Sequence, residues 1–303
     1  MLLLSNPLCE CILKSCLARA QHKHPITISA FLIEATHVHL IVVVRNPEDV
    51  CGFVRYFKTE SAHMLNRVLG REKRTVWCEG YDSPVVLTPL RALIAMTYLY
   101  ANPAKDNLEN SIENYPGLSS WEMFRSGEHT KSWKRLRRPA FKKLTSDSHN
   151  LRGYTKEAQR LLSEATKTHT FRIDPNAWMV AFGTTDLAEQ QTINQRLVDR
   201  VKELERRALE KRKILGQSVI GKKRLLNQSL NTTYRSKRGG KRMCCLSEDR
   251  NIRIEFINFL KDIYHKAKET VANWKLGDFT QSFPLGLYPP SMPKLAEPIS
   301  GAW

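Results

Sequence analysis

Two histidines two residues apart, His37 and His39, stand in the run Ala35-Thr36-His37-Val38-His39-Leu40-Ile41-Val42. Alternate residues of a β-strand share one face, so both imidazoles can approach the same metal ion. A second pair, Tyr98 and Asn102, is four residues apart and would share one face of a helix. A phenol hydroxyl and an amide oxygen set against two strand imidazoles make a compact site for attack on a phosphodiester. Each pair alone has a plainer explanation: polar-face histidines on a strand, and a core aromatic with its hydroxyl at the rim. Among the other tyrosines, Tyr100 points to nearly the opposite side of the helix from Tyr98. Tyr56 and Tyr81 have no oxygen ligand at such a spacing, and Tyr115 falls in a loop.

The elements that must carry these residues follow from local patterns. Asn6-Pro7 is a helix start, and Leu8, Ile12, Leu13, Cys16, Leu17 and Ala20 form one stripe, which predicts a helix over 6–21. Ile26 to Ile33 and His37 to Val44 are rich in β-branched residues and separated by a short connection, which predicts an antiparallel hairpin. Asn46-Pro47 opens a second helix that lasts to Gly70. A basic loop, Arg71 to Arg74, and a short strand over 85–87 lead to Thr88-Pro89. That pair caps a third helix, which Pro103 is expected to end. The order gives an α+β domain over 1–124: a ferredoxin-like antiparallel sheet with helices on one face.

Beyond it the pattern predicts a basic linker over 125–185 and a mainly α-helical basic extension over 186–303. The extension should hold helices over 191–215 and 250–275, with Ser229 to Arg242 mobile because it is poor in apolar residues.

The chain has 303 residues, 42% of them hydrophobic, enough for a substantial core. Its 48 Lys and Arg outnumber 30 Asp and Glu, for a net charge of +18. Such an excess favours a polyanionic partner, nucleic acid first and an anionic membrane surface second. Arg55, Lys58, Arg67, Arg71, Lys73 and Arg74 are candidate phosphate contacts, with a solvated basic face as the equal alternative. Seven cysteines show no C-x-x-C pair and no disulfide spacing, which implies reduced thiols. Glu10 and Lys14 interrupt the first apolar run, so no leader or membrane span is expected and the protein is expected in the cytoplasm.

Taken together the motifs carry a resemblance. The strand around His37 and His39 resembles the histidine-hydrophobe-histidine strand of the HUH superfamily. Tyr98-Leu99-Tyr100-Ala101-Asn102-Pro103 is similar to the helix of REP-associated tyrosine transposases of the IS200-like group. Tyr115-Pro116-Gly117-Leu118-Ser119-Ser120-Trp121 resembles the segment that follows it. The resemblance covers about residues 6 to 124. It implies a palm domain in which His37, His39 and Asn102 hold Mg²⁺ or Mn²⁺ and Tyr98 is the catalytic nucleophile. The implied partner is DNA, as single-stranded hairpin repeats, cut through a 5′-phosphotyrosine and rejoined. No general base is identified.

Two departures matter. Members of the group usually begin with a strand that lies beside the histidine strand, whereas Met1 to Leu4 alone precede the first helix here. Either the start codon is placed too late or the first strand is lost, and in the second case the histidine strand is expected at an exposed sheet edge. Thr36 also stands where asparagine is common. The leading reading is a tyrosine transposase and single-strand endonuclease. The rival is a catalytically inactive DNA-binding protein of the same fold, and a third is a metal hydrolase in which Tyr98 is a bystander.

Overall fold

The computed structural model describes residues 6–72, 74–141, 149–230, 243–287 and 289–291. Lys73, Met1 to Leu4, most of the stretch expected to be mobile and residues 292–303 lie outside them. Helix α1 spans Pro7–Lys23, followed by strands β1 (Thr27–Ile33) and β2 (Val38–Val43) and helix α2 (Pro47–Val68). Next come β3 (Val85–Val86), α3 (Pro89–Lys105), α4 (Trp121–Ser126), β4 (Thr130–Lys134), α5 (Leu151–Ser163) and β5 (Thr168–Arg172). The described residues end with α6 (Ala177–Ala181), α7 (Leu187–Ile214), α8 (Lys222–Leu226), β6 (Cys245–Leu246) and α9 (Arg250–Lys275).

The α+β class is the observed one, and helix starts at Asn6, Asn46 and Thr88 fall where the sequence puts them. Asn6 and Thr88 accept from backbone N–H groups of Cys9 and Arg91, the expected side-chain caps.

β1 and β2 pair antiparallel, from Thr27 opposite Val43 to Ile33 opposite Val38. Ser29 is the extra residue of a bulge between Ile28 and Ala30. Past the bulge the faces separate cleanly. Phe31, Ile33, Val38, Leu40 and Val42 join a core built on α1 and α2, while Ala30, Leu32, Ile41 and Val43 join a second core with α3 and α7. The hairpin is thus covered on both sides rather than on one, which is why β1 is buried from Ile28 to Ile33 without alternation. His37 and His39 have the parity of Ile41 and Val43, so the strand turns them toward α3.

The Tyr-Pro-Gly-Leu-Ser-Ser segment covers the far edge of β1. Ile33 N–H donates to Leu118 O, Ser120 N–H to Phe31 O, and the Tyr115 hydroxyl to Ile33 O. The Ser120 hydroxyl accepts from Phe31 N–H at 2.8 Å and donates to Phe31 O at 3.2 Å. With its proton so used, its 2.8 Å bond with Tyr100 takes the proton from the phenol. β2 pairs with β1 alone among the described residues.

Where a linking stretch was expected, β4 and β5 form an antiparallel pair that packs with α5 on α1. This second covering buries α1 nearly all round, from Leu8 to Ala20, beyond the single stripe its sequence shows. β3 does not extend the hairpin sheet but pairs parallel with β6.

Helix α3 runs through Pro103 to Lys105, contrary to the expected stop. Proline costs a helix one hydrogen bond and some steric strain, and burial offsets it: Pro103 and Ala104 are enclosed, and Asp106 N–H closes the last turn on Asn102 O at 2.8 Å. α7 completes the enclosure. Its Arg212, 3% exposed, donates to Ala104 O at 2.5 Å and to Asn110 Oδ1 at 2.9 Å. A guanidinium thus sits at the negative end of the α3 dipole. No helix among the described residues is long and apolar enough to cross a membrane.

Candidate active site

The hairpin turn sets the first wall. Glu34 N–H donates to His37 O at 2.9 Å, closing Glu34-Ala35-Thr36-His37. His37 Nδ1 lies 2.8 Å from Thr36 Oγ1, and its Nε2 lies 3.5 Å from Glu34 Oε2. Thr36, a departure from the resembled pattern, therefore holds the far nitrogen of the ring and leaves Nε2 for a ligand, as outer partners of metal-binding histidines do. The two imidazole rings are 4.5 Å apart, and ligand atoms of Glu34, His37 and His39 all lie within 4.8 Å of one another.

Helix α3 sets the second wall. Asn102 is 2% exposed and brings Nδ2 to 3.0 Å from His39 Nε2. A half-turn of the carboxamide exchanges nitrogen for oxygen at that point, so the same side chain can donate to a free imidazole or offer an oxygen to a cation. Tyr98, one turn earlier, is 48% exposed, and its hydroxyl has no hydrogen-bond partner among the described residues. The Lys105 ammonium lies 3.3 Å from the centroid of its ring. Tyr100 is fully buried and packs edge-on against Trp121 at 5.0 Å, as its place on the helix requires.

Burial sets the electrostatics. It lowers the His37 imidazole against the opposing pull of Asp106, and it pushes His39 down to about 4, helped by His37 and Lys105. Both rings are neutral at physiological pH, the form that binds a metal. Burial also raises the Glu34 carboxyl to about 8, with the Asp106 carboxyl beside it adding to the shift. Glu34 is 1% exposed, and its Oε1 faces no donor. A buried carboxyl oxygen without a donor, two neutral imidazoles and an amide converge here. The residues present fit a divalent cation that takes mixed oxygen and nitrogen ligands.

Sequence reasoning named His37, His39 and Asn102, and the structure brings these three together. It missed Glu34, Lys105 and Asp106. A carboxylate that ends the apolar run Phe31-Leu32-Ile33 three residues before the first histidine was a visible signal for Glu34. The other two were hidden by the expected helix stop at Pro103.

The basic residues of α2 and of the loop after it divide. Lys58 donates to the carbonyls of Cys78 and Gly80, Arg67 to Pro139 and Arg71 to Leu230, so these three hold loops in place. Arg55 and Arg74 are exposed.

No curated protein and no solved structure matches the chain. A family model described as "Transposase IS200 like" matches residues 3–90, a span that holds Glu34, His37 and His39 and ends two residues into α3, before Tyr98 and Asn102. This first part of the chain is therefore similar to the IS200-like transposases.

Proposed function

We propose that the chain is a metal-assisted endonuclease and strand transferase that cuts single-stranded DNA at hairpin repeats through a 5′-phosphotyrosine on Tyr98. The observation that carries this reading is the meeting of Asn102 with His39 at 3.0 Å, which seats the tyrosine helix on the histidine strand with the Tyr98 hydroxyl open to solvent. His37 and His39 would hold Mg²⁺ or Mn²⁺ with the Asn102 oxygen, and Glu34 would add a carboxylate oxygen. When bound, the cation supplies Lewis-acid polarisation of a phosphate oxygen.

Tyr98 Oη attacks phosphorus, the new P–O bond to tyrosine forms, and the P–O3′ bond breaks. The phenol gives up its proton and the departing 3′ oxygen takes one. The covalent bond keeps the cleavage energy for rejoining, when a 3′-hydroxyl attacks the phosphotyrosine. Arg55 and Arg74 are free to meet DNA phosphates on the α2 side. The preference for single-stranded hairpins rests on the motif resemblance.

The test incubates purified protein and Mg²⁺ with end-labelled single-stranded hairpins from the gene's flanks. A slow species on a denaturing gel is expected with the intact protein, and none with Tyr98→Phe or with chelator. Hairpin binding in a native gel without that species would favour the catalytically inactive DNA-binding protein instead.

A further inference from the structure

We infer that Lys105 is a catalytic residue, whose ammonium contacts the scissile phosphate between the Tyr98 ring and the Glu34, His37, His39 cluster. The inference rests on the reading just given. Lys105 follows Tyr98 by seven residues, two turns of helix, and lies on the same face because α3 continues through Pro103. Its Nζ is 3.3 Å from the centroid of the Tyr98 ring. It also lies within electrostatic reach of both Glu34 and His39, so one ammonium spans the nucleophile and the metal ligands.

The alternative is ordinary: a lysine in the last turn of a helix complements the dipole and needs no further role. Two observations favour the phosphate. Among the described residues no carboxylate makes an ion pair with Lys105, although Glu34 and Asp106 are close by. Its partner is instead the face of an aromatic ring, an attraction weaker than the charge-assisted hydrogen bond a phosphate oxygen would offer. A phosphate placed for attack by Tyr98 Oη and for coordination at His39 would lie against this ammonium. Transfer of Lys105 from the ring to the phosphate would free the ring and neutralise charge that develops on the non-bridging oxygens.

The experiment combines rate and binding. Covalent-adduct formation is followed in single turnover at saturating hairpin for the natural protein, Lys105→Ala and Lys105→Arg. In parallel, the affinity of the natural protein and of Lys105→Ala is measured for a series of hairpins carrying one neutral methylphosphonate at each successive linkage. A contact predicts a loss of roughly 100-fold in rate for alanine, on the scale of one lost transition-state donor, with partial recovery for arginine. It also predicts one linkage at which the neutral substitution removes the affinity difference between the two proteins.

An alanine variant within about 3-fold of the natural rate, or a loss restored by more DNA, would overturn the inference. If the natural protein binds hairpins but forms no adduct, the proposed function fails on its own, and the linkage scan still decides. One coupled linkage supports the Lys105 contact; no coupled linkage, or no hairpin binding, refutes it.

Discussion

Asn102 Nδ2 meets His39 Nε2 at 3.0 Å, and both residues belong to one chain. The tyrosine helix is therefore docked on its own histidine hairpin, where Ile41 and Val43 of β2 share a core with Met96, Leu99 and Tyr100 of α3. The polar contact sits at the end of an apolar seam that fixes its geometry.

That geometry predicts a metal site open to direct measurement. Titration calorimetry with Mn²⁺ should detect one site per chain. His39→Ala should weaken it by about 100-fold or more, and Asn102→Ala by about 10-fold, because an imidazole is lost in the first case and one oxygen in the second. Equal affinity in all three proteins would remove Asn102 and His39 from the ligand set.

Glu34 makes that binding depend on pH. Burial and the Asp106 carboxyl raise it to about 8, so it carries a proton at neutral pH that a cation must displace. Affinity for Mn²⁺ should rise about 10-fold per pH unit between 6 and 8 and then level, and Glu34→Gln should flatten the rise. Folding of the metal-free protein runs the other way. The raised carboxyl contributes stability that is present below its unfolded value near 4.5 and is lost as pH rises through 8. His39, held down to about 4, acts at the acid end: between its unfolded value near 6.5 and 4 the unfolded chain binds the extra proton, so stability falls as the solution is acidified. Urea unfolding across pH 4 to 9 with chelator reads both slopes.

Arg212 ties the extension to the tyrosine helix. It is buried, has no carboxylate partner among the described residues, and is satisfied by Ala104 O and Asn110 Oδ1. Arg212→Ala leaves those acceptors unmet, and a loss of about 2–4 kcal/mol in urea unfolding is expected from charged hydrogen bonds of this kind. An unchanged midpoint would show that α7 does not brace α3.

Ser120 serves as a hub under β1. With its hydroxyl between Phe31 and Tyr100 and no exposure at all, Ser120→Ala should cost about 1–3 kcal/mol. A lowered thermal midpoint for Ser120→Ala, with Tyr100→Phe lowering it less, checks this.

The hairpin, the helix caps and the separate pairings of His37 with His39 and of Tyr98 with Asn102 were legible because each depends on local signals: period-two and helical spacing, and cap residues before proline. That Asn102 would meet the histidines came from the motif resemblance. What was not legible depends on contacts made far along the chain. Pro103 reads as a helix stop by local sterics, and only Arg212, more than a hundred residues later, and burial of the last turn allow α3 to reach Lys105. The same misreading hid Lys105 and Asp106. α1 shows one apolar stripe, yet its other faces are covered by β4, α5 and β5, whose pairing of Thr130 with Arg172 no local pattern announces. Ser119 and Ser120 were legible as a motif, but their place against β1 was not.

The most direct test of the account is the identity of the attached residue. After reaction with a hairpin and Mg²⁺ and digestion of both DNA and protein, mass spectrometry should find a nucleotide linked through its 5′-phosphate to the peptide that contains Tyr98, with Tyr100 in the same peptide unmodified by fragment ions. A nucleotide on another residue, or cleaved DNA with no nucleotide on any peptide, would contradict it.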